Sequence, residues 1–265
     1  TEPITVSALT LGKSSGTATS TLQFSYDAIS TGPLIISTGD LIVYYGATIT
    51  HIPAVGSFVA GKVNINVQNG NAAISGNINV DNKGYPQGEG LGQGVDSDNN
   101  GSGGGAYGGN GGYGTSTAGG IGYGSYYQPT DLGSGSGIVR SSGAIGGGAI
   151  KLTVAGTTTI SGTISANGQY GNNATDRKPG GGSGGSIWIT TSVLSGTGNV
   201  LANGGGSENW SLNGGGGGGG GRIAFHYSTN NSTLATLTAN GGKPRSDEHT
   251  SELQSRQVAS DAVFC

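Results

Sequence analysis

One short pattern returns along the chain at a nearly fixed interval, and that interval limits what the chain can become. GAIKLTVAGTTTISGTISANG starts at Gly148, a second copy starts at Gly185, and a third, GRIAFHYSTNNSTLATLTANGG, starts at Gly221, spacings of 37 and then 36 residues. A more distant copy, GKVNINVQNGNAAISGNINVDN, starts at Gly61. Units this short cannot bury an apolar face alone, so a fixed period in this range predicts a stacked array.

Each copy opens on an alternating strand. Val63, Ile65 and Val67 recur as Ile150, Leu152 and Val154, as Ile187 and Ile189, and as Ile223, Phe225 and Tyr227. One apolar side at period two means a half-buried strand. A second strand follows a Ser-Gly turn, with Ile78 and Val80, Ile164 and Ala166, Val200 and Ala202, and Leu237 and Ala239. Strand units without helical periodicity exclude helical repeats, and two strands per unit are too few for a propeller blade. The expected fold is all-β, a parallel β-helix with coils of about 36 residues and long Gly-rich loops. Asn167, Asn203 and Asn240 fill one slot, each before a glycine, and are expected to form a structural ladder that tolerates a left-handed turn.

Glycine accounts for 58 of the 265 residues, yet packets of Ile, Val and Leu at fixed spacing argue for order over disorder. The glycine runs have two readings: polyproline-II-like segments packed backbone to backbone on a third side of each coil, or loops swinging off one edge. They are not phosphate loops, because neither a Gly-Lys-Ser/Thr sequence nor a helix follows them. The net charge of -3 is too small to argue for nucleic acid, and no apolar run is long enough to span a bilayer.

Residues 1–60 read as an N-terminal β cap or degenerate first coils, and 61–244 as the repeats, with a Gly/Tyr-rich insertion over 83–147. The chain opens on Thr1 without an initiator Met or a leader, as expected of a fragment or of a chain whose signal peptide was removed. From Arg245 the glycines stop, and RSDEHTSELQSRQVASDAVFC resembles translated read-through of a sequencing adapter. Residues 245–265 are therefore expected to be a non-native tail, in which His249 and Cys265 carry no function. Without that tail the chain has no cysteine, hence neither disulfides nor thiolate metal sites.

Several groups are candidates for chemistry. Asp96, Asp98 and Asn100, followed by Gly101, match the first half of a calcium loop, but Tyr107 stands where the closing acidic ligand belongs; Glu89 or Asp131 would have to close the shell. The alternative is a polar turn. The insertion, as an expected surface loop, and the strand face together offer Tyr107, Tyr113, Tyr123, Tyr126, Tyr127 and Trp188 as candidate ligand contacts, with Trp210 a further exposed aromatic; the alternative is that Tyr in a Gly-rich segment supplies the only packing available there. Two outward lines are expected on the first strand: Asn64, Lys151, Trp188 and Ala224, then Asn66, Thr153, Thr190 and His226. Neither carries an acid, so the paired carboxylates of a glycosidase are missing, and His226 reads as a solvated strand residue. Asp176, Arg177 and Lys178 read as a solvating charge cluster. Thr157, Thr158 and Thr159 have no matching triplets in other copies, which discounts an ice-binding array. Sequons at Asn100, Asn173, Asn209, Asn230 and Asn231 arise readily in so polar a chain.

The repeat grammar, ISGTISANG with glycine runs between alternating strands, resembles the glycine-rich repeats of bacterial secreted and surface proteins, including filamentous-haemagglutinin-like adhesins. That resemblance implies a secreted or cell-surface, non-catalytic structural or adhesive scaffold, with extracellular glycans or other surface proteins as partners. A carbohydrate-active β-helix enzyme lacking its catalytic coils, and a glycine-rich phage tail adhesin, are the alternatives.

Overall fold

The computed structural model describes residues 3–264 apart from 16–18, 27–31, 56–60, 99, 172–177, 209–212 and 244–260. Asn99, Asn173, Asp176, Arg177, Asn209, Trp210, Arg245 and His249 thus lie outside the described residues, as does Cys265. Sixteen strands and no helix occur among the described residues. In chain order they are β1 (Thr5–Val6), β2 (Leu9–Leu11), β3 (Ser20–Phe24), β4 (Leu34–Ile36), β5 (Leu41–Val43), β6 (Ala47–His51), β7 (Val63–Val67), β8 (Ala72–Ile74) and β9 (Asn77–Asn79). Then follow β10 (Ala149–Ile160), β11 (Thr163–Ser165), β12 (Ser186–Gly196), β13 (Asn199–Leu201), β14 (Arg222–Ser232), β15 (Thr236–Thr238) and β16 (Asp261–Phe264).

They form two sheets. One runs β1-β4-β7-β10-β12-β14-β16, with β2, β5 and β8 joining it beside the second half of β10; the other runs β3-β6-β9-β11-β13-β15. All pairings are parallel except that of β14 with β16. Equivalent residues stack in register. Leu34, Ile65, Leu152, Ile189 and Phe225 form one buried row, and Ile49, Ile78, Ile164, Val200 and the half-buried Leu237 form another. Each such side chain contributes about 1.5–3 kcal/mol on burial. The architecture is all-β, parallel and solenoid-like.

The expected fold class needs correction in two respects. First, the stack has no uniform coil of about 36 residues. Thr5 pairs with Ile35, a step of 30 residues. Leu34 pairs with Ile65, a step of 31, and Val63 with Ile150, a step of 87. Only the last turns show steps of 37 and 36, as from Ile150 to Ile187 and from Ile187 to Ile223 in one sheet, and from Asn199 to Thr236 and from Thr163 to Asn199 in the other. The early turns also divide what later turns fuse, since β10 pairs with both β7 and β8 and its register shifts between Val154 and Thr157. The stacking rule constrains which residues sit above one another, not how much chain lies between them, so the repeat period is no measure of the coil.

Second, the glycine runs are not loops. Gly101–Tyr107, Gly180–Gly185 and Gly214–Gly221 are buried throughout. Three of these segments run side by side and bond in a cycle: Ser102 N–H to Lys178 O, Lys178 N–H to Asn213 O, and Gly216 N–H to Ser102 O. Three residues further on, the cycle repeats as Gly105 to Gly181, Gly181 to Gly216 and Gly219 to Gly105. A bonding repeat of three residues is that of polyproline II, whose backbone makes no bonds to itself and so offers every N–H to a neighbour. Amides between these serve other neighbours, as with Gly182 to Gln169 and Gly218 to Gly205. Segments meet so closely that a Cβ on Gly181 would lie on the Gly205 carbonyl oxygen. The lattice thus satisfies buried backbone groups that would otherwise be costly. Its serines patch it from within: Ser102 Oγ donates to Gly137 O and accepts Gly180 N–H, and Ser134 Oγ accepts Gly92 N–H.

The 83–147 insertion belongs to this lattice. Its chain returns to register at Gly148, where the buried His51 accepts Ala149 N–H at Nε2 and bonds Ile52 O through Nδ1 at 2.7 Å. A Cβ on Gly148 would strike that imidazole.

Candidate functional site

The outward face of the β7-β10-β12-β14 sheet carries two lines of side chains. Register places Asn64, Lys151, Trp188 and Ala224 on one line, and Asn66, Thr153, Thr190 and His226 on the next. The face is divided along its length. Near the strand starts the insertion covers it: Ser186 Oγ donates to Asp131 O, and the Tyr107 hydroxyl lies 2.7 Å from Ser186 Oγ. Arg222 stands with its guanidinium 5.3 Å from the Tyr107 ring centre and donates from Nη2 to Tyr123 O at 2.8 Å. Asn64 and Ala224 are buried there.

Past that cover the face opens into a groove of about 670 Å³, lined by Asn66, Gln68, Thr153, Thr190, Ser192 and Ser228 among others. Its polar groups are neutral amides and hydroxyls, and no carboxylate lines it. An aromatic shelf borders it, built on Trp188 and on His226, the next residue of the Thr153–Thr190 line. The His226 ring packs against Tyr127, centres 4.3 Å apart and planes inclined by 41°, and lies 5.9 Å from Trp188. Its Nε2–H donates to Tyr127 O at 2.9 Å, which fixes the ring. Lys151 Nζ sits 4.3 Å from the Trp188 ring centre, a cation–π contact of about 0.5–1 kcal/mol at an exposed site. The Trp188 Nε1 is buried without an acceptor among the described residues, at a cost of about 1–3 kcal/mol. A smaller residue there would avoid that penalty.

The sequence candidates fall in different places. Tyr107 is fully buried, so its ring is core and touches no ligand. Tyr123 is half-buried, with its hydroxyl 2.9 Å from Ser134 Oγ. Tyr113 and Tyr126 are exposed, and Tyr127 reaches the shelf. Asp96 accepts Ile138 N–H, Asn100 N–H donates to Ser97 Oγ, and Asp98 is exposed. No group of three His, Cys, Asp or Glu residues placed to hold a metal occurs among the described residues. The asparagine slot forms a side-chain-to-backbone ladder: Asn203 N–H donates to Asn167 Oδ1 at 2.8 Å, and Asn240 N–H to Asn203 Oδ1 at 2.9 Å. It begins one coil earlier, at Asp81 Oδ1 under Asn167 N–H. None of the three asparagines has a positive φ; Asn82 does, at 57°. Lys178 is buried and paired with Glu208, so it is structural and not a solvating charge.

Burial, foremost, pushes the Tyr107 and Tyr123 phenols far above their ordinary value of 10.0; for Tyr107 the Ser186 hydrogen bond works against this. Both therefore favour the neutral form when folded. The stability they add is complete below pH 10 and declines as pH climbs from there towards the folded-state values. The expected result of an alkaline titration is that their phenolate absorbance, isolated by difference against Tyr123→Phe and Tyr107→Phe variants, appears only with loss of the strand circular dichroism. Ionisation of either in the folded chain just above pH 10 would contradict this placement.

Compared with known proteins, the chain matches no family model, no curated sequence and no solved structure. Among the described residues no helix is long and apolar enough to cross a membrane.

Proposed function

We propose that this chain is a non-catalytic, structural and adhesive segment of a secreted or cell-surface protein, similar in kind to filamentous-haemagglutinin-like adhesins, and that it holds extracellular glycans on its open sheet face. The observation that carries this reading is the neutral groove beside the Trp188–His226–Tyr127 shelf. Saccharides present hydroxyls to amides and hydroxyls, and C–H faces to aromatic rings, so a groove of Asn, Gln, Thr and Ser ending on an aromatic shelf suits them. A rigid stack with its third layer locked backbone to backbone suits a spacer that must hold that face at a distance.

The test is to immobilise the full chain, pass a panel of glycans over it, and assay the eluates for new reducing ends. Saturable retention with every glycan recovered intact is expected. Shortened glycans would overturn the non-catalytic part, and no retention of any glycan would overturn the adhesive part.

A further inference from the structure

We propose that the groove selects an acidic linear polysaccharide, a chain of uronic-acid units lying across the strands along the stacking axis, with one carboxylate held by Lys151. This inference rests on the glycan-binding reading above. It comes from the juxtaposition of a cation with no acidic partner among the described residues, a row of neutral hydrogen-bonding groups and an aromatic end stop.

Lys151 stands in register between Asn64 and Trp188, one row away from Asn66, Thr153 and Thr190 in the groove. Its ammonium rests on the Trp188 ring and meets no described carboxylate. A cation parked on an aromatic face is partly desolvated and remains free to accept an anion at its other side. No acid lines the groove to repel one. Charge complementarity therefore favours a carboxylated ligand over a neutral one, and disfavours a basic one.

Direction follows from register. Asn66, Thr153, Thr190 and His226 are direct neighbours on four adjacent strands, and adjacent strands lie about 4.8 Å apart. A linear chain of pyranose rings advances by a similar distance per unit. Successive rings laid along this row would each meet one side chain of the row, ending against His226 and Tyr127. A chain laid along a strand would instead cross outward residues at alternate positions and run under the insertion at Ser186, where Asp131 and Tyr107 close the face.

The experiment measures binding of the full chain to a galacturonic-acid oligomer and to the same oligomer fully methyl-esterified, with a neutral glucan as a third probe. The acid is expected to bind roughly tenfold tighter than its ester, the difference a charge-assisted hydrogen bond makes, and to lose that advantage as salt rises. Lys151→Gln should bring the acid down to the level of the ester and leave the ester unchanged, and Lys151→Arg should keep the preference. Thr190→Val should weaken acid and ester alike. Equal binding of acid and ester, or a preference untouched in Lys151→Gln, overturns the inference and leaves the glycan-binding reading standing. Binding of the neutral glucan alone does the same. Retention of none of the three overturns the inference, and the glycan panel above then decides the glycan-binding reading.

Discussion

Replacing Gly181 with alanine is expected to destabilise the stack strongly, while the same change at Gly109 leaves it intact. The chemistry of the two substitutions is identical. At Gly181 the new methyl would occupy the site of the Gly205 carbonyl oxygen, which accepts Gly218 N–H beside the cycle that joins the 101–108, 178–185 and 213–221 segments. Those segments are fixed by bonds on several sides, so none can retreat without breaking others. Overpacking a tight interior costs about 1–3 kcal/mol and sometimes more; with backbone on the receiving side, the upper end is expected. At Gly109 the nearest atom to a new Cβ is Gly220 N at 3.6 Å, ordinary contact distance. There alanine should be neutral, or stabilising by about 0.4–1 kcal/mol through the unfolded chain. Urea denaturation of the two variants beside the parent checks this. Equal effects would mean that the glycine segments do not touch.

The second large effect is expected at Ile189→Ala. Ile189 is fully buried between Leu152 below and Phe225 above. Its loss leaves a cavity in a row whose members are fixed by strand register and cannot close in, so a destabilisation of about 2–5 kcal/mol is expected. Because a stack communicates through neighbouring units, the damage should centre on β10, β12 and β14 and spare β3 and β6. Hydrogen exchange read by segment distinguishes that pattern from uniform weakening.

What the sequence made legible was periodic. Ile150, Ile187 and Ile223 are written one period apart and lie in register, and the outward lines through Lys151 and Thr153 follow from the same alternation. The middle strand was not legible. The sequence showed two strands per unit, with neither residues 72–74 nor 157–160 among them, yet β8 pairs with the second half of β10. With it went the far side of the groove, Gln68 and Ser192. A uniform coil length was inferred from two adjacent spacings, and the 87-residue step across the insertion shows that register survives any length of intervening chain. The start of the asparagine ladder was hidden because an aspartate, Asp81, does the work of the amide. Glycine runs carry no side-chain pattern at all, so nothing in them distinguishes a lattice from a loop. For Tyr107 the sequence left two readings, an exposed contact or the only packing available among glycines, and its burial over Ser186 and Arg222 is the second.

Amide hydrogen exchange on the glycines tests the central claim most directly. If the glycine segments form a hydrogen-bonded third layer, the amides of Gly105, Gly181, Gly184, Gly216 and Gly219 should exchange as slowly as those of β12 between Ile187 and Thr191. Exchange of those five at the rates of an unstructured chain, with β12 still protected, would mean that the runs are loops after all, and the layered account would fail.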